Sequence, residues 1–324
     1  MRAPLCGARR HRKPNFQEEM MTIGYVGIGN MGGALARRLH LDQPIAVFDL
    51  NPKAVATFVA DGATAYKSAK ALAEACDVVF TCLQTSAQVR DVIFGKDGLV
   101  TGLKRGSMIV DQTTGDAIAT REMAQELEPH GIELVDAPVS GGPQWAEAGK
   151  IAIMVGASDA QFAKIEPILK KISVNVLHCG GSGNGHVAKT CNNLMAASQR
   201  LLAFEVIGLA ARNGLPPEKA VEVLNKGSGR SYTLEVTFPR HILSGDNLDQ
   251  GFALGLMLKD VKLANQLAIG SDVPLFLGGM VQEYYKAIVK EIGATADVNR
   301  TVHFFERQAG AEIARPPSKA NAAA

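Results

Sequence analysis

Apolar positions along the chain follow two different rules, and the point where the rule changes divides the molecule. From Met21 to about Ser182, short apolar runs alternate with amphipathic stretches. The runs predict strands at Thr22–Val26, Ile45–Phe48, Val78–Thr81, Met108–Asp111, Glu133–Asp136, Ile151–Val155 and Asn175–His178. The stretches between them predict helices at Gly32–His40, Pro52–Asp61, Ser68–Ala75, Ser86–Phe94, Gly115–His130 and Ala160–Ile172. Such alternation implies a mainly parallel, doubly wound sheet with helices on both faces. The near-continuous apolar runs are those of strands covered on both sides. After Gly185 strand signals stop. His186–Arg212 reads as one long apolar helix, followed by helices at Pro217–Asn225, Ser231–Leu243, Phe252–Ile269 and Val273–Gly293. Pro216 and Pro217 suit a helix start and Gly214 the preceding stop. The expected organisation is an α/β domain over 21–182 and an all-α domain over 183–312, with the boundary near Ser182–Gly185. A helix apolar on most of its circumference is expected to be buried all round, between the domains or inside a dimer.

The ends read differently. Residues 1–20 carry Arg2, Arg9, Arg10, Arg12 and Lys13 but lack the apolar stretch of a secretory signal. The basic residues would suit a transit peptide, and Glu18 and Glu19 count against one. The expectation is a disordered extension, with the working protein beginning near Met21. Residues 313–324 read as a loose tail.

Composition narrows the partners. The 324 residues are 47% hydrophobic, enough for a substantial core in two domains. Lys plus Arg number 34 and Asp plus Glu 32, a net charge of +2, which gives no reason to expect nucleic acid or a membrane surface. No segment holds enough uninterrupted apolar residues to be expected to span a bilayer. The partners expected are small molecules. Five scattered cysteines without CxxC spacing point to thiols in a reducing, cytoplasmic compartment. The histidines show no metal-ligand spacing, so no metal is expected.

The junction of the first strand and helix carries the first chemistry. Gly27-Ile28-Gly29-Asn30-Met31-Gly32 follows an apolar strand and opens a helix. Gly27 and Gly29 let backbone approach a pyrophosphate, at which the helix aims its free N–H groups and positive dipole end. The second strand ends in Asp49, about 20 residues on, where ribose hydroxyls would be held. Strand, glycines, helix, strand and acid in this order predict a Rossmann-type dinucleotide site. The competing reading is a tight strand-to-helix turn in another α/β protein.

Three further segments carry candidate groups. Asp136-Ala-Pro-Val-Ser-Gly-Gly-Pro143 follows a strand at the edge where open sheets bind ligands. The Ser140 hydroxyl and the unobstructed backbone of Gly141 and Gly142 would suit a carboxylate; a plain Pro/Gly turn is the alternative. In the long helix, Lys189 is the only Lys or Arg from Gly180 through Gln199, and Asn193 lies four residues on. A buried ammonium is costly and rarely placed without a task. Desolvation would draw its pKa toward neutrality, where it serves as acid or base; a snorkelling lysine is the alternative. Lys259, by itself, reads as part of an amphipathic helix with Phe252, Leu256 and Leu263. Thr81–Ser86 and Asp111–Thr114 follow strands and could line a nicotinamide ribose, with helix capping by Ser86 and Thr114 as the alternative.

Taken together these residues resemble the β-hydroxyacid dehydrogenase family over about Thr22 to Ala311. The glycine turn with Met31, the Asp136-Ala-Pro-Val-Ser-Gly-Gly segment, the run Gly183-x-Gly185-x-x-x-Lys189-x-x-Asn192-Asn193 and Lys259-Asp260 carry the resemblance. It implies Lys189 as the catalytic lysine, Asn193 orienting the substrate, and Ser140, Gly141 and Gly142 holding its carboxylate. Cofactor contacts would come from the Gly27–Gly32 turn, including Asn30 and Met31, and from Asp49, Leu83, Thr114 and Lys259. Gln84, Arg38 and Val261 depart from the family pattern; Gln84 puts that loop's cofactor contact in doubt. Asp49-Leu50-Asn51 lacks the arginine of the NADP-type members, so NAD is expected over NADP. The expected activity is oxidation of a small β-hydroxy acid such as 3-hydroxyisobutyrate. The alternatives are tartronate semialdehyde reduction, imine reduction, or a cofactor-binding module without catalysis. A homodimer or homotetramer is expected to cover the apolar helical surface.

Overall fold

The computed structural model describes residues 21–245 and 247–315. The expected extension at 1–20 and most of the expected tail lie outside them. In chain order the elements begin with β1 (Ile23–Val26), α1 (Asn30–His40), β2 (Ile45–Phe48), α2 (Pro52–Ala60), β3 (Thr64–Ala65), α3 (Ala69–Ala73), β4 (Val78–Thr81) and α4 (Ser86–Phe94). They continue with β5 (Met108–Asp111), α5 (Ala117–Leu127), β6 (Glu133–Asp136), β7 (Val139–Ser140), α6 (Pro143–Glu147), β8 (Ala152–Val155), α7 (Asp159–Ile172) and β9 (Asn175–His178). The helical part comprises α8 (Asn184–Arg212), α9 (Pro217–Lys226), α10 (Leu254–Gly270), α11 (Phe276–Ile292) and α12 (Thr301–Ala309).

Strands β1 to β6 form one parallel sheet in the order β3-β2-β1-β4-β5-β6. The order reverses between β1 and β4, which opens a crevice beyond their carboxyl ends. Side chains alternate between the two faces. Ile23, Tyr25, Phe80 and Val110 join Leu35, Leu39 and Phe58 in one core. Val26, Val79 and Ile109 join Leu72, Ile93 and Met123 in the other.

The last two predicted strands do not extend this sheet. β8 and β9 pair in parallel, β7 adds antiparallel to β8, and the three form a separate sheet joined to β6 by the Asp136–Gly156 bridge. The chain reverses there because Pro138 has no N–H for a continuing ladder. Gly141 and Gly142, at φ +142° and +84°, then turn it into α6.

The helical part has its own core, built around Phe204, Phe238, Tyr285 and Phe305. Within one copy of the chain α8 is buried on only part of its circumference: Met195, Leu202 and Leu209 stay about 60% exposed at seven-residue spacing. The expectation of no span-like segment does not hold. Among the described residues α8 is the one helix long and apolar enough to cross a membrane, because its few charges are widely spaced. The central helix of a packed domain meets the same criterion, and α8 packs against α5, α9, α10, α11 and α12. The expected helix Ser231–Leu243 is a π-helix, Thr233–Ile242, with Pro239 inside. The beginning of the expected tail is ordered: Ile313 is buried and Arg315 N–H donates to Ile242 O at 2.9 Å.

Candidate active site

The glycine turn is built as the spacing implies. Gly27 sits at φ +88°, and a Cβ there would lie 2.4 Å from Cys82 O. A Cβ on Gly32 would lie 2.0 Å from Gly27 O, so only glycine lets α1 start this close to β1. Gly29 differs, because a Cβ there would meet nothing within 4 Å. Asn30 opens α1 exposed, Met31 packs on the core, and no side chain among the described residues caps the helix. An open space before an uncapped helix N-terminus fits a pyrophosphate. Asp49 lies beside it, accepting Ile28 N–H and Asn51 N–H, each at 2.7 Å. Leu83 packs against Gly27, and its N–H donates to Thr113 Oγ1 at 3.0 Å. These residues line the carboxyl ends of β1, β2, β4 and β5 at the crevice.

The helical part closes on this edge through α8 and α10. Lys259 Nζ donates to Thr114 O at 2.9 Å and lies 3.0 Å from Asp260 Oδ1. Thr114 and Ser86 are not helix caps; Asp116 and Thr85 take those places, and Ser86 Oγ accepts Asp116 N–H. Asn193 turns its amide nitrogen to Asp260 Oδ2 at 2.6 Å, joining α8 to α10. Its oxygen accepts from Asn192 Nδ2, which also donates to Ser140 Oγ at 3.2 Å. One chain of polar contacts thus runs from the Ser140 turn through Asn192, Asn193, Asp260 and Lys259 to Thr114.

Lys189 sits one turn before Asn193. It is 7% exposed, and no hydrogen bond or ion pair to its ammonium exists among the described residues. Burial lowers its pKa to about 8, with the Lys259 charge acting in the same direction and Asp260 opposing. An amine poised there can take or give a proton near neutral pH.

Two positioning groups carry no periodic signal in the sequence. Asp136 Oδ1 and Oδ2 accept Gly183 N–H at 2.7 Å and His186 N–H at 2.8 Å, anchoring the start of α8. Burial raises its pKa, while His186 and the backbone donors oppose the rise. The His186 ring is fully buried and hydrogen-bonds Thr120 Oγ1 at 2.8 Å and Thr113 O at 2.9 Å. Asp136 stood within a motif noted for its serine and glycines. Asp260 stood beside Lys259, and only the fold shows which groups they reach.

Comparison with known proteins agrees with this geometry. Residues 22–181 match the NAD-binding domain of 6-phosphogluconate dehydrogenase. Residues 183–305 match the NAD-binding domain of NADP-dependent 3-hydroxyisobutyrate dehydrogenase. The 2-(hydroxymethyl)glutarate dehydrogenase of Eubacterium barkeri is 36% identical over 298 residues, 91% of this chain and 98% of its own. The chain belongs to the β-hydroxyacid dehydrogenase family. Mitochondrial 3-hydroxyisobutyrate dehydrogenase of Bos taurus is another relative, 32% identical over 88% of this chain and 87% of its own. The solved structure of the Mycobacterium tuberculosis 3-hydroxyisobutyrate dehydrogenase with L-serine superposes with a TM-score of 0.80 at 27% identity, over 88% of this chain and 99% of that one. An imine reductase from Myxococcus stipitatus, 16% identical with a TM-score of 0.61, shares the fold. As a β-hydroxyacid dehydrogenase the chain is an NAD(P)-binding oxidoreductase acting on a CH–OH group.

Proposed function

We propose that the protein oxidises small β-hydroxy acids with NAD, using Lys189 as the general base and, in reverse, the general acid. The observation that carries the reading is Lys189 itself: a buried amine without a hydrogen-bond partner among the described residues, its pKa lowered to about 8, near Asp260 and Lys259 and one helical turn before Asn192 and Asn193, which reach Ser140 and Asp260. In this reading the substrate carboxylate lies on Ser140 Oγ and the backbone of Gly141 and Gly142, and its hydroxyl faces Lys189 Nζ. Lys189 takes the hydroxyl proton. The Asn193–Asp260 bond holds α8 against α10 so that the amine keeps its place. A bound nicotinamide supplies the hydride acceptor. The Gly27–Gly32 turn, Asp49, Leu83, Thr114 and Lys259 would hold that cofactor.

Asp49 supports NAD over NADP, because its carboxylate would repel a 2′-phosphate and no arginine follows it. The relatives' names, 3-hydroxyisobutyrate and 2-(hydroxymethyl)glutarate, mark the substrate class. A second copy of the chain covering the exposed Met195, Leu202 and Leu209 belongs to the same reading. The test is reduced-nicotinamide absorbance with a hydroxy-acid panel, run with NAD and NADP in parallel. Lys189→Ala should abolish turnover and leave NAD affinity nearly intact. Undiminished activity in that variant removes the mechanism.

A further inference from the structure

The mechanism makes no use of Arg240, a cation that lies against the short helix following the Ser140 turn. Arg240 comes from the π-helix Thr233–Ile242 of the helical part. Its guanidinium carbon lies 5.9 Å from the ring centroid of Trp145, the chain's only tryptophan. Trp145 stands on α6, which grows directly out of Gly142, and its N–H donates to Gly142 O at 3.1 Å. The Trp145 side chain lies against Gly141, where an added Cβ would come within 3.2 Å of its own Cβ. Arg240 therefore hangs, one indole ring away, over the turn assigned to the substrate carboxylate.

Its charge is unspent. Arg240 is exposed and makes no hydrogen bond or ion pair among the described residues. Neighbouring cations are engaged: Arg230 with Glu235 at 3.3 Å, and Arg37 with Glu147 of α6 at 2.9 Å. Stacking on an indole orients a guanidinium without neutralising it. That leaves its planar fork of donors to grip a carboxylate in two places.

We propose that Arg240 is a specificity-determining residue which receives a second, distal carboxylate of the substrate, so that the site favours hydroxy diacids over hydroxy monoacids. This rests on the dehydrogenase reading above. The first carboxylate lies on the Ser140–Gly142 turn, the hydroxyl on Lys189, and the arm carrying the second acid runs past Trp145 toward the mouth of the crevice. Because Arg240 remains partly in water, its contribution is salt-sensitive.

Two probes separate the roles. 3-Hydroxyisobutyrate and 2-(hydroxymethyl)glutarate differ in one arm, a methyl in the first and a carboxyethyl in the second. Steady-state kinetics with NAD would compare the full chain with Arg240→Gln and Arg240→Lys. The expected result is a wild-type preference for the diacid. In Arg240→Gln its KM rises about tenfold, while kcat and the monoacid kinetics stay within about twofold. Arg240→Lys retains part of the preference, and added salt raises the diacid KM alone. Equal losses on both acids would make Arg240 a mere latch between the two parts and overturn the proposal, as would no change on either. A wild-type chain that oxidises neither acid overturns the dehydrogenase reading, and this inference falls with it. An active wild type with an unchanged ratio in Arg240→Gln overturns the inference alone.

Discussion

Two helices in this protein begin in nearly the same way and end up with opposite tasks. α1 follows Gly27-Ile28-Gly29, and α8 follows Gly183, with Asn184 and Gly185 as its first two residues. In each, one glycine is left-handed, Gly27 at φ +88° and Gly183 at φ +83°. In each, another glycine packs where no Cβ fits, 2.0 Å from Gly27 O for Gly32 and 2.3 Å from Met154 O for Gly185. The difference lies in what meets the free N–H groups. At α8 the Asp136 carboxylate accepts two of them, from inside the protein. At α1 no side chain among the described residues does, and the space at Gly29 is open. A helix start closed by an internal anion becomes a rigid support, and it carries Lys189 little more than a turn further on. One left open is ready for an anion from outside.

The largest effect expected from breaking this division of labour is at the amine that α8 supports. Lys189→Met should lower kcat about a thousandfold. It should also raise stability near pH 7 by about 3 kcal/mol, because the buried amine, unpartnered among the described residues, is costly when charged. Single-turnover kinetics and urea melts read the two changes, and a loss of both activity and stability would mean that the lysine is structural. At the open end, Gly29→Asp should weaken NAD binding about a hundredfold with the fold intact. Gly27→Ala should unfold the turn itself, since Ala is strained at φ +88° and clashes with Cys82 O. Calorimetric titration beside thermal melting distinguishes the two. At the closed end, Asp136→Asn should cost about 1–3 kcal/mol of stability. It should lower kcat more than it raises the Kd for NAD, since the cofactor turn is untouched.

The smallest effect is a pH dependence. Only the neutral amine accepts a proton, so kcat/KM for oxidation should rise with pH up to about 8 and then level. For reduction it should fall above about 8. The folded-state pKa lies below the unfolded one. Lys189 therefore subtracts stability as pH falls from 10.5 toward about 8, and the full penalty is present below that. Profiles indifferent to pH around 8 would count against Lys189 as the proton carrier.

The parallel sheet was readable because each strand is a local apolar run, and five of the seven expected strands match their observed limits, β2, β4, β5, β6 and β9. Their partition into two sheets was not, because pairing of β7 with β8 depends on the reversal at Pro138 rather than on any periodicity. The π-helix looked like an ordinary helix for the same reason: spacing of apolar residues does not report how tightly the backbone winds. Lys189 stood out as a lone cation in an apolar helix. Asp260 did not, since a carboxylate beside a lysine on a helix usually faces water.

From residue order alone follow the strand-glycine-helix start, the acid at the end of β2, the isolated Lys189 and the change from alternating to all-helical structure. These are properties of neighbours, set by backbone sterics and apolar period. Contacts between distant segments decided the rest: Asp136 closing α8 across 47 residues to Gly183, Asn193 turned to Asp260 across 67, and Arg240 lying over Trp145. A carboxylate or guanidinium has no periodicity of its own, so its role is fixed only when packing brings its partner within bonding distance, or withholds one.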